Sequence, residues 1–257
     1  MQFTGQTALI TGASSGIGAA YAKEFAARGA DLVLVARGEQ AMQSLAGEIR
    51  SQYGRKVEVI ASDLGIPGAA DALAGQVAEL GLTVDVLVNN AGFGLHGDLV
   101  EADPARLTAM VQLNCVALVD LTRHFLPGMV ARRRGTVVNV ASTAAYQPVP
   151  HLAVYAATKA FVLSFTEALH AEVKPAGVRV LAISPGATQT RFFEVAGEKA
   201  AFGRHRDVRQ VVASTMRALD RGRPSRIDGL VNAVVANGTR FTPRRMVLAM
   251  GDRTFGA

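Results

Sequence analysis

Six short runs of apolar, β-rich sequence punctuate the first 183 residues of this 257-residue chain: Thr7–Ile10, Asp31–Ala36, Lys56–Ile60, Asp85–Val88, Thr136–Val140 and Val178–Ile183. Most are continuously apolar rather than alternating. A strand with one wet face alternates, whereas a strand buried on both faces does not. Helical patterns lie between the runs, at Gly18–Arg28, Glu39–Tyr53, Ala69–Leu80, Pro104–Val130 and Leu152–Val173. Asp103 followed by Pro104 reads as an N-cap and first helical position. Gly29, Gly54, Gly81 and Gly177 stand where helices should stop. The alternation predicts an α/β fold, a doubly wound parallel sheet with helices on both faces in three α/β/α layers. After Ile183 the pattern loosens. Residues 190–206 read as a loop with short helix, 207–222 as a helix, 227–236 as a last apolar strand or turn, and Phe241–Arg253 as a short closing helix.

Hydrophobic residues make up 49% of the chain and charged residues 19%, enough to build a large core and to exclude disorder. The length fits one domain over residues 1–257. A single cysteine, Cys115, excludes a disulfide framework and a cysteine-based zinc site. The five histidines show no ligand-like spacing, so no metal is expected. No basic start leads into an apolar run, and no apolar run approaches the ~20 residues of a membrane span. The expectation is a cytoplasmic protein without a transmembrane segment. The charge is uneven. Residues 204–257 hold eleven arginines, no lysine and four aspartates, a net +7, while the rest is close to neutral. The plain reading of this arginine-rich segment is a solvated face. The sharper ones are an acidic partner, a membrane surface or nucleic acid, and no nucleic-acid-binding motif supports the last.

The first apolar run leads into Thr11-Gly12-Ala13-Ser14-Ser15-Gly16-Ile17-Gly18, and a helix follows. Strand, glycine turn and helix make a diphosphate site: glycine lets the backbone approach the anion, and the first helical N–H groups point at it. A bare ribose diol is usually held by an acidic residue about 20 positions on. Here the second strand ends at Arg37. A planar guanidinium suits a 2′-phosphate, so NADP(H) is expected over NAD(H). Asp63-Leu64 after the third strand and Asn90-Ala91-Gly92 after the fourth fall at carboxyl strand ends, which line the ligand crevice in such sheets. Asp63 is placed to accept from an adenine amino group.

Tyr155 and Lys159 stand four apart on a helix and share one face. A nearby ammonium favours phenolate, so Lys159 is expected to lower the Tyr155 pKa from about 10 toward neutrality. Ser142 ends the fifth run, thirteen residues before Tyr155, where its hydroxyl can meet a substrate carbonyl oxygen. Asn114 interrupts an otherwise apolar helix. A buried amide needs partners, so it is either a structural bridge or part of a proton relay.

Taken together these motifs resemble the short-chain dehydrogenase/reductases. The matching residues are Thr11-Gly12-x-x-x-Gly16-x-Gly18, Asn89-Asn90-Ala91-Gly92, Asn114, Ser142, Tyr155-x-x-x-Lys159 and Pro185-Gly186-x-x-x-Thr190. The resemblance implies a Rossmann fold, hydride chemistry and a homo-oligomer, dimer or tetramer. It implies Tyr155 as acid/base, Ser142 polarising the substrate oxygen, Lys159 on the nicotinamide ribose, and Asn114 anchoring a water. Gly12, Ser14, Ser15, Gly16, Ile17, Gly18, Asn90, Ala91 and Gly92 would line the cofactor. Ile183, Pro185, Gly186, Thr188 and Thr190 would sit around the nicotinamide carboxamide. Arg37 matches the NADP-preferring members, whereas the position before Gly16, often basic in them, is Ser15. Many short members close with a glycine pair after the last strand. This chain continues with apolar sequence from Leu230, which suggests a cover over the site or a different dimer contact.

Phe93, Leu95, Thr143, Ala144, Val149, His151, Ala187, Phe192 and Phe193 are the expected pocket wall, and residues about 187–206 the substrate loop, with the two phenylalanines as a lid. An apolar wall fits a hydrophobic ketone or aldehyde, or the matching secondary alcohol. The leading expectation is an NADP(H)-dependent oxidoreductase on such a small molecule. One alternative is a 3-oxoacyl-carrier-protein or thioester reductase, motivated by the arginine-rich end. Another is a non-catalytic NADP-binding scaffold or sensor.

Overall fold

Seven parallel strands form one sheet in the computed structural model, which describes residues 1–190 and 205–256. The strands are β1 (Thr7–Thr11), β2 (Asp31–Ala36), β3 (Val57–Ala61), β4 (Val84–Asn89), β5 (Gly135–Val140), β6 (Val178–Ser184) and β7 (Ser225–Ile227), in the order β3-β2-β1-β4-β5-β6-β7. After β3 the chain crosses to the far side of β1. The crevice at the carboxyl ends of β1 and β4 is therefore the topological switch point, where such sheets bind ligands.

Alternate residues of each strand enter opposite layers. Ala8 and Ile10 of β1 pack with α1 (Gly16–Ala27), α2 (Glu39–Tyr53) and α7 (Val208–Asp220), through Phe25, Met42 and Met216 among others. Leu9 faces the other way, toward α3 (Ala69–Glu79), α5 (Ala117–Ala131) and α6 (Ala153–Val173). Burial on both faces explains why the strands read as continuous apolar runs.

Two expectations need correction. The pattern over Pro104–Val130 is not one helix. α4 (Pro104–Val111) passes through a π-turn at Gln112–Val116 into α5. The cause is tertiary, since Asn114 in that turn is pinned to two other segments. The run 227–236 is also not a strand beyond Ile227. Gly229 turns the chain at φ +88°, and α8 (Leu230–Gly238) follows. Leu230, Val231, Val234 and Val235 fall at i, i+1, i+4 and i+5, a helical stripe that outweighs their β-propensity. The closing helix is present as α9 (Arg244–Phe255). Phe192, Phe193 and most of the expected substrate loop lie outside the described residues.

Candidate active site

A cleft of about 2100 Å³ runs along the carboxyl ends of the strands. One end is built from backbone. Gly12 and Gly16 take positive φ (65° and 57°), and a Cβ at Gly12 would lie 2.7 Å from Asn90 Nδ2. A Cβ at Gly18 would collide with the Gly12 carbonyl. Asn90 props the turn from below, donating through Nδ2 to the Thr11 carbonyl at 2.8 Å. The Thr11 hydroxyl accepts from the backbone N–H groups of Asn90 and Ala91, at 3.0 and 2.9 Å. This turn at the start of α1 leaves a cradle that only glycine permits, which fits a dinucleotide diphosphate. Ser14, Ser15, Ile17, Arg37, Asp63 and Gly92 line the same cleft. Arg37 is 79% exposed with Nη1 4.0 Å from the Asp63 carboxylate, so its guanidinium is open to an anion. Asp63 also accepts from Gly65 N–H at 2.9 Å. Leu64 touches the cleft, but its side chain is committed to the core beneath.

The reacting groups meet halfway along. Tyr155 and Lys159 lie in α6 and are both buried. Tyr155 and Ser142 line the cleft together, and Ser142 caps the 3₁₀ turn Thr143–Tyr146 by accepting from Ala144 N–H at 3.1 Å. Lys159 Nζ donates to the Val140 carbonyl at 2.8 Å and stands 5.8 Å from the Tyr155 ring centroid. Burial pushes the Tyr155 phenol up to about 12, Ser142 pulling the other way, and pushes the Lys159 ammonium down to about 8. The expected acidification of Tyr155 is therefore reversed. Desolvation of the phenol dominates, and Lys159 directs one of its N–H donors to the Val140 carbonyl.

Asn114 is a structural bridge. Its Nδ2 donates to the Phe93 carbonyl and to the Thr158 hydroxyl, each at 3.0 Å, and its Oδ1 accepts from Phe93 N–H at 3.2 Å. Thr158 in turn donates to the Tyr155 carbonyl at 2.7 Å. The π-turn is thus tied to the first turn of α6, and Thr158 belongs to the site. It was masked in the sequence as the filler between Tyr155 and Lys159. A Cβ at Gly92 would lie 2.8 Å from Asn114 Oδ1, too close unless the bridging amide moves.

Pro185, Gly186, Thr188 and Thr190 line the cleft beside Ser142. The Pro185 carbonyl accepts from Thr143 N–H at 2.9 Å, and Thr188 donates to the Gly186 carbonyl at 2.9 Å. Asn232 of α8 packs against Gly186 so closely that a Cβ there would collide with it. Behind it, buried Asp228 accepts from Ser214 at 2.6 Å and pairs with Arg206. Phe93, Thr143, Ala144, Val149 and Ala187 form part of the opposite wall, as expected. Leu95 and His151 do not. Leu95 packs into the small core under Tyr155, and His151 turns away to bridge Asp98 at 2.6 Å and Asp252 at 3.2 Å. The rest of the wall is Leu230, Val231 and Val235 of α8 with Val247, Met250 and Thr254 of α9. The apolar sequence after Leu230 lines the open end of the cleft. Among the described residues no group of histidine, cysteine or carboxylate side chains could hold a metal ion, and no helix is long and apolar enough to cross a membrane.

A family model described as short chain dehydrogenase matches residues 6–201, ending before α7. The very-long-chain 3-oxoacyl-CoA reductase of Anas platyrhynchos is 36% identical over 197 residues, covering 74% of this chain and 62% of that protein. The chain thus spans less than two thirds of the length of such curated relatives. A solved short-chain dehydrogenase from Sphingobium yanoikuyae in complex with NADPH is 35% identical, covers 92% of this chain and 93% of that one, and superposes with a TM-score of 0.84. The bulky-bulky ketone specific alcohol dehydrogenase from Comamonas testosteroni is 33% identical, with coverage of 92% and 91% and a TM-score of 0.80.

Proposed function

This chain belongs to the short-chain dehydrogenase family, and from that premise we propose that it is an NADP(H)-dependent reductase of apolar ketones or aldehydes, working in reverse on the matching secondary alcohols. The observation that carries the reading is the Tyr155 hydroxyl. It shares the cleft wall with Ser142 and is backed by Lys159, with a glycine cradle at one end of the cleft and apolar walls at the other.

The glycine turn, braced by Asn90, would hold the diphosphate, Arg37 would take the 2′-phosphate, and Pro185 to Thr190 would orient the nicotinamide. When bound, NADPH supplies the hydride. Every other element of the reaction falls to the protein. Ser142 holds the substrate carbonyl oxygen. Tyr155, a phenol that burial keeps protonated, donates to that oxygen as its charge develops. Lys159 braces the ribose and stabilises the tyrosinate left behind, its own proton made labile by burial. In the oxidation direction Tyr155 must first lose its proton, so that direction is favoured by rising pH.

A second reading, reduction of 3-oxoacyl thioesters, is supported by the similarity to 3-oxoacyl-CoA reductases and by the arginine-rich segment 204–257. A panel of ketones, aldehydes, alcohols and oxoacyl thioesters, followed by absorbance of NADPH and NADH in parallel, tests both. Tyr155→Phe is expected to lose about 10²- to 10⁴-fold in kcat while binding NADPH normally. Turnover confined to thioesters moves the assignment to the second reading. Tight NADPH binding with no turnover of any carbonyl makes the protein a cofactor-binding scaffold.

A further inference from the structure

Half of the large apolar side chains that the described residues leave exposed lie within a single stretch, Leu230 to Met250. Leu230 (80% exposed), Val231 and Val235 both line the cleft and face outward at its rim. Val234 (65%), Phe241 (90%) and Met246 are exposed on the same two helices and their connection without lining the cleft. Such a concentration of exposed apolar side chains marks a docking surface. Its charge is equally one-sided. Arg240, Arg244, Arg245 and Arg253 are all exposed on the same two helices and their connection, against a single aspartate, Asp252.

We propose that α8, α9 and the Phe241 turn between them dock on an anionic lipid surface, with the apolar side chains entering the headgroup boundary and the arginines pairing with lipid phosphates and carboxylates. Apolar anchors within a cationic border are the composition that binds such surfaces without spanning them. Charge decides against a second copy of this chain. A two-fold contact through the patch would set its arginines against the same arginines, on a chain already at net +6. The cleft opens through the patch, since Leu230, Val231, Val235 and Met250 belong to both. A sparingly soluble carbonyl compound could therefore move from lipid to Tyr155 without crossing bulk water. That route rests on the proposed reductase reading; the docking itself does not.

Flotation of the full chain with phosphatidylcholine vesicles, with and without phosphatidylserine, tests the surface. The protein is expected to float with the mixed vesicles, to stay behind with phosphatidylcholine alone, and to be released by high salt. Arg244→Glu with Arg245→Glu should cut the floated fraction about tenfold or more, and Val234→Ser with Phe241→Ser should do likewise. Circular dichroism melting confirms that both variants fold, and kcat/KM on a small water-soluble ketone should stay within about twofold of wild type. Absence of flotation, equal flotation on neutral vesicles, or flotation indifferent to both pairs of substitutions overturns the proposal. So does a concentration-dependent dimer in sedimentation velocity that Phe241→Ser abolishes, which would make the occupant a second copy. If no carbonyl is turned over but flotation follows this pattern, the docking stands and only the loading route falls.

Discussion

The two ends of the cleft are held by different physics. At the cofactor end the walls are backbone. Gly12 and Gly18 approach their neighbours too closely for a side chain, Gly16 takes a positive φ, and Thr11 and Asn90 bind the turn from below with several hydrogen bonds. At the open end the walls are side chains of α8 and α9. Few polar bonds fix them: Asn232 to the Asp228 carbonyl, Thr239 to the Tyr146 carbonyl, His96 to the Phe255 carbonyl, and the His151 bridge. A close-packed backbone turn is either made or broken, whereas an apolar wall can be reshaped by degrees. Substitutions at the first end should abolish binding, and those at the second should tune it.

Gly18→Ala is the most direct way to break this contrast. The added Cβ meets the Gly12 carbonyl, which is backbone and cannot rotate aside. NADPH affinity, followed by fluorescence titration, should fall about 100-fold, with a stability loss of about 1–3 kcal/mol in urea unfolding. Leu230→Ala at the other end should leave NADPH affinity unchanged and move only KM for apolar substrates. Normal NADPH binding by Gly18→Ala would show that the cradle is not as tight as its geometry.

Lys159 sharpens the comparison, because it is where the cleft carries a buried charge. Its ammonium is held at about 8 rather than 10.5, which costs the fold roughly 3 kcal/mol wherever both states are protonated. That cost is complete below pH 8 and disappears as pH rises toward 10.5, because the unfolded chain binds the extra proton in between. Above 10 the buried phenols Tyr21 and Tyr155, both shifted upward, act in the opposite sense. Wild-type stability should therefore climb between about pH 8 and 10. Lys159→Met should lack the climb, be more stable at neutral pH, and be inactive. A flat wild-type profile would mean that Lys159 is solvated.

Arg37→Asp acts at the same end but on an exposed group. Its guanidinium has only the 4.0 Å approach to Asp63 to lose, so stability should hardly change. NADPH affinity should drop about tenfold and NADH affinity should rise. Retained NADPH preference would assign the 2′-phosphate to another residue.

What could be read from sequence follows the same division. Strand runs, the glycine turn, and the spacing of Ser142, Tyr155 and Lys159 are local patterns, and the fold preserves them. The π-turn was hidden because it is imposed by Asn114 reaching Phe93 and Thr158, three positions far apart in the chain. The segment 227–236 reads in sequence as a last apolar strand or turn, because the stripe at i, i+1, i+4 and i+5 is short. The Tyr155 acidity was misjudged for a different reason: the charge of Lys159 is visible in sequence and the depth of burial is not.

His151 fixes the open end from outside the cleft, and it carries the smallest expected effect. It adopts a left-handed conformation at φ +60°, unusual for a residue with a side chain. From there Nδ1 meets Asp98 and Nε2 meets Asp252 of α9, while its carbonyl accepts from Gly97 N–H at 2.8 Å and the His96 ring lies 6.0 Å away. Two carboxylates, Asp98 first and Asp252 second, raise its pKa above 6.5. The protonated ring therefore clasps α9 to the loop that precedes Tyr155. The clasp is complete below pH 6.5 and is lost as pH rises through the raised value. His151→Asn tolerates the left-handed backbone and keeps one polar contact, but removes the charge and the second carboxylate. KM for a bulky ketone should rise about threefold at low pH, with kcat and NADPH affinity unchanged, because the bridge is exposed and worth little by itself. Wild-type KM should approach that of the variant as pH rises. A variant whose KM instead matches wild type at every pH would show that α9 keeps its place by apolar packing alone.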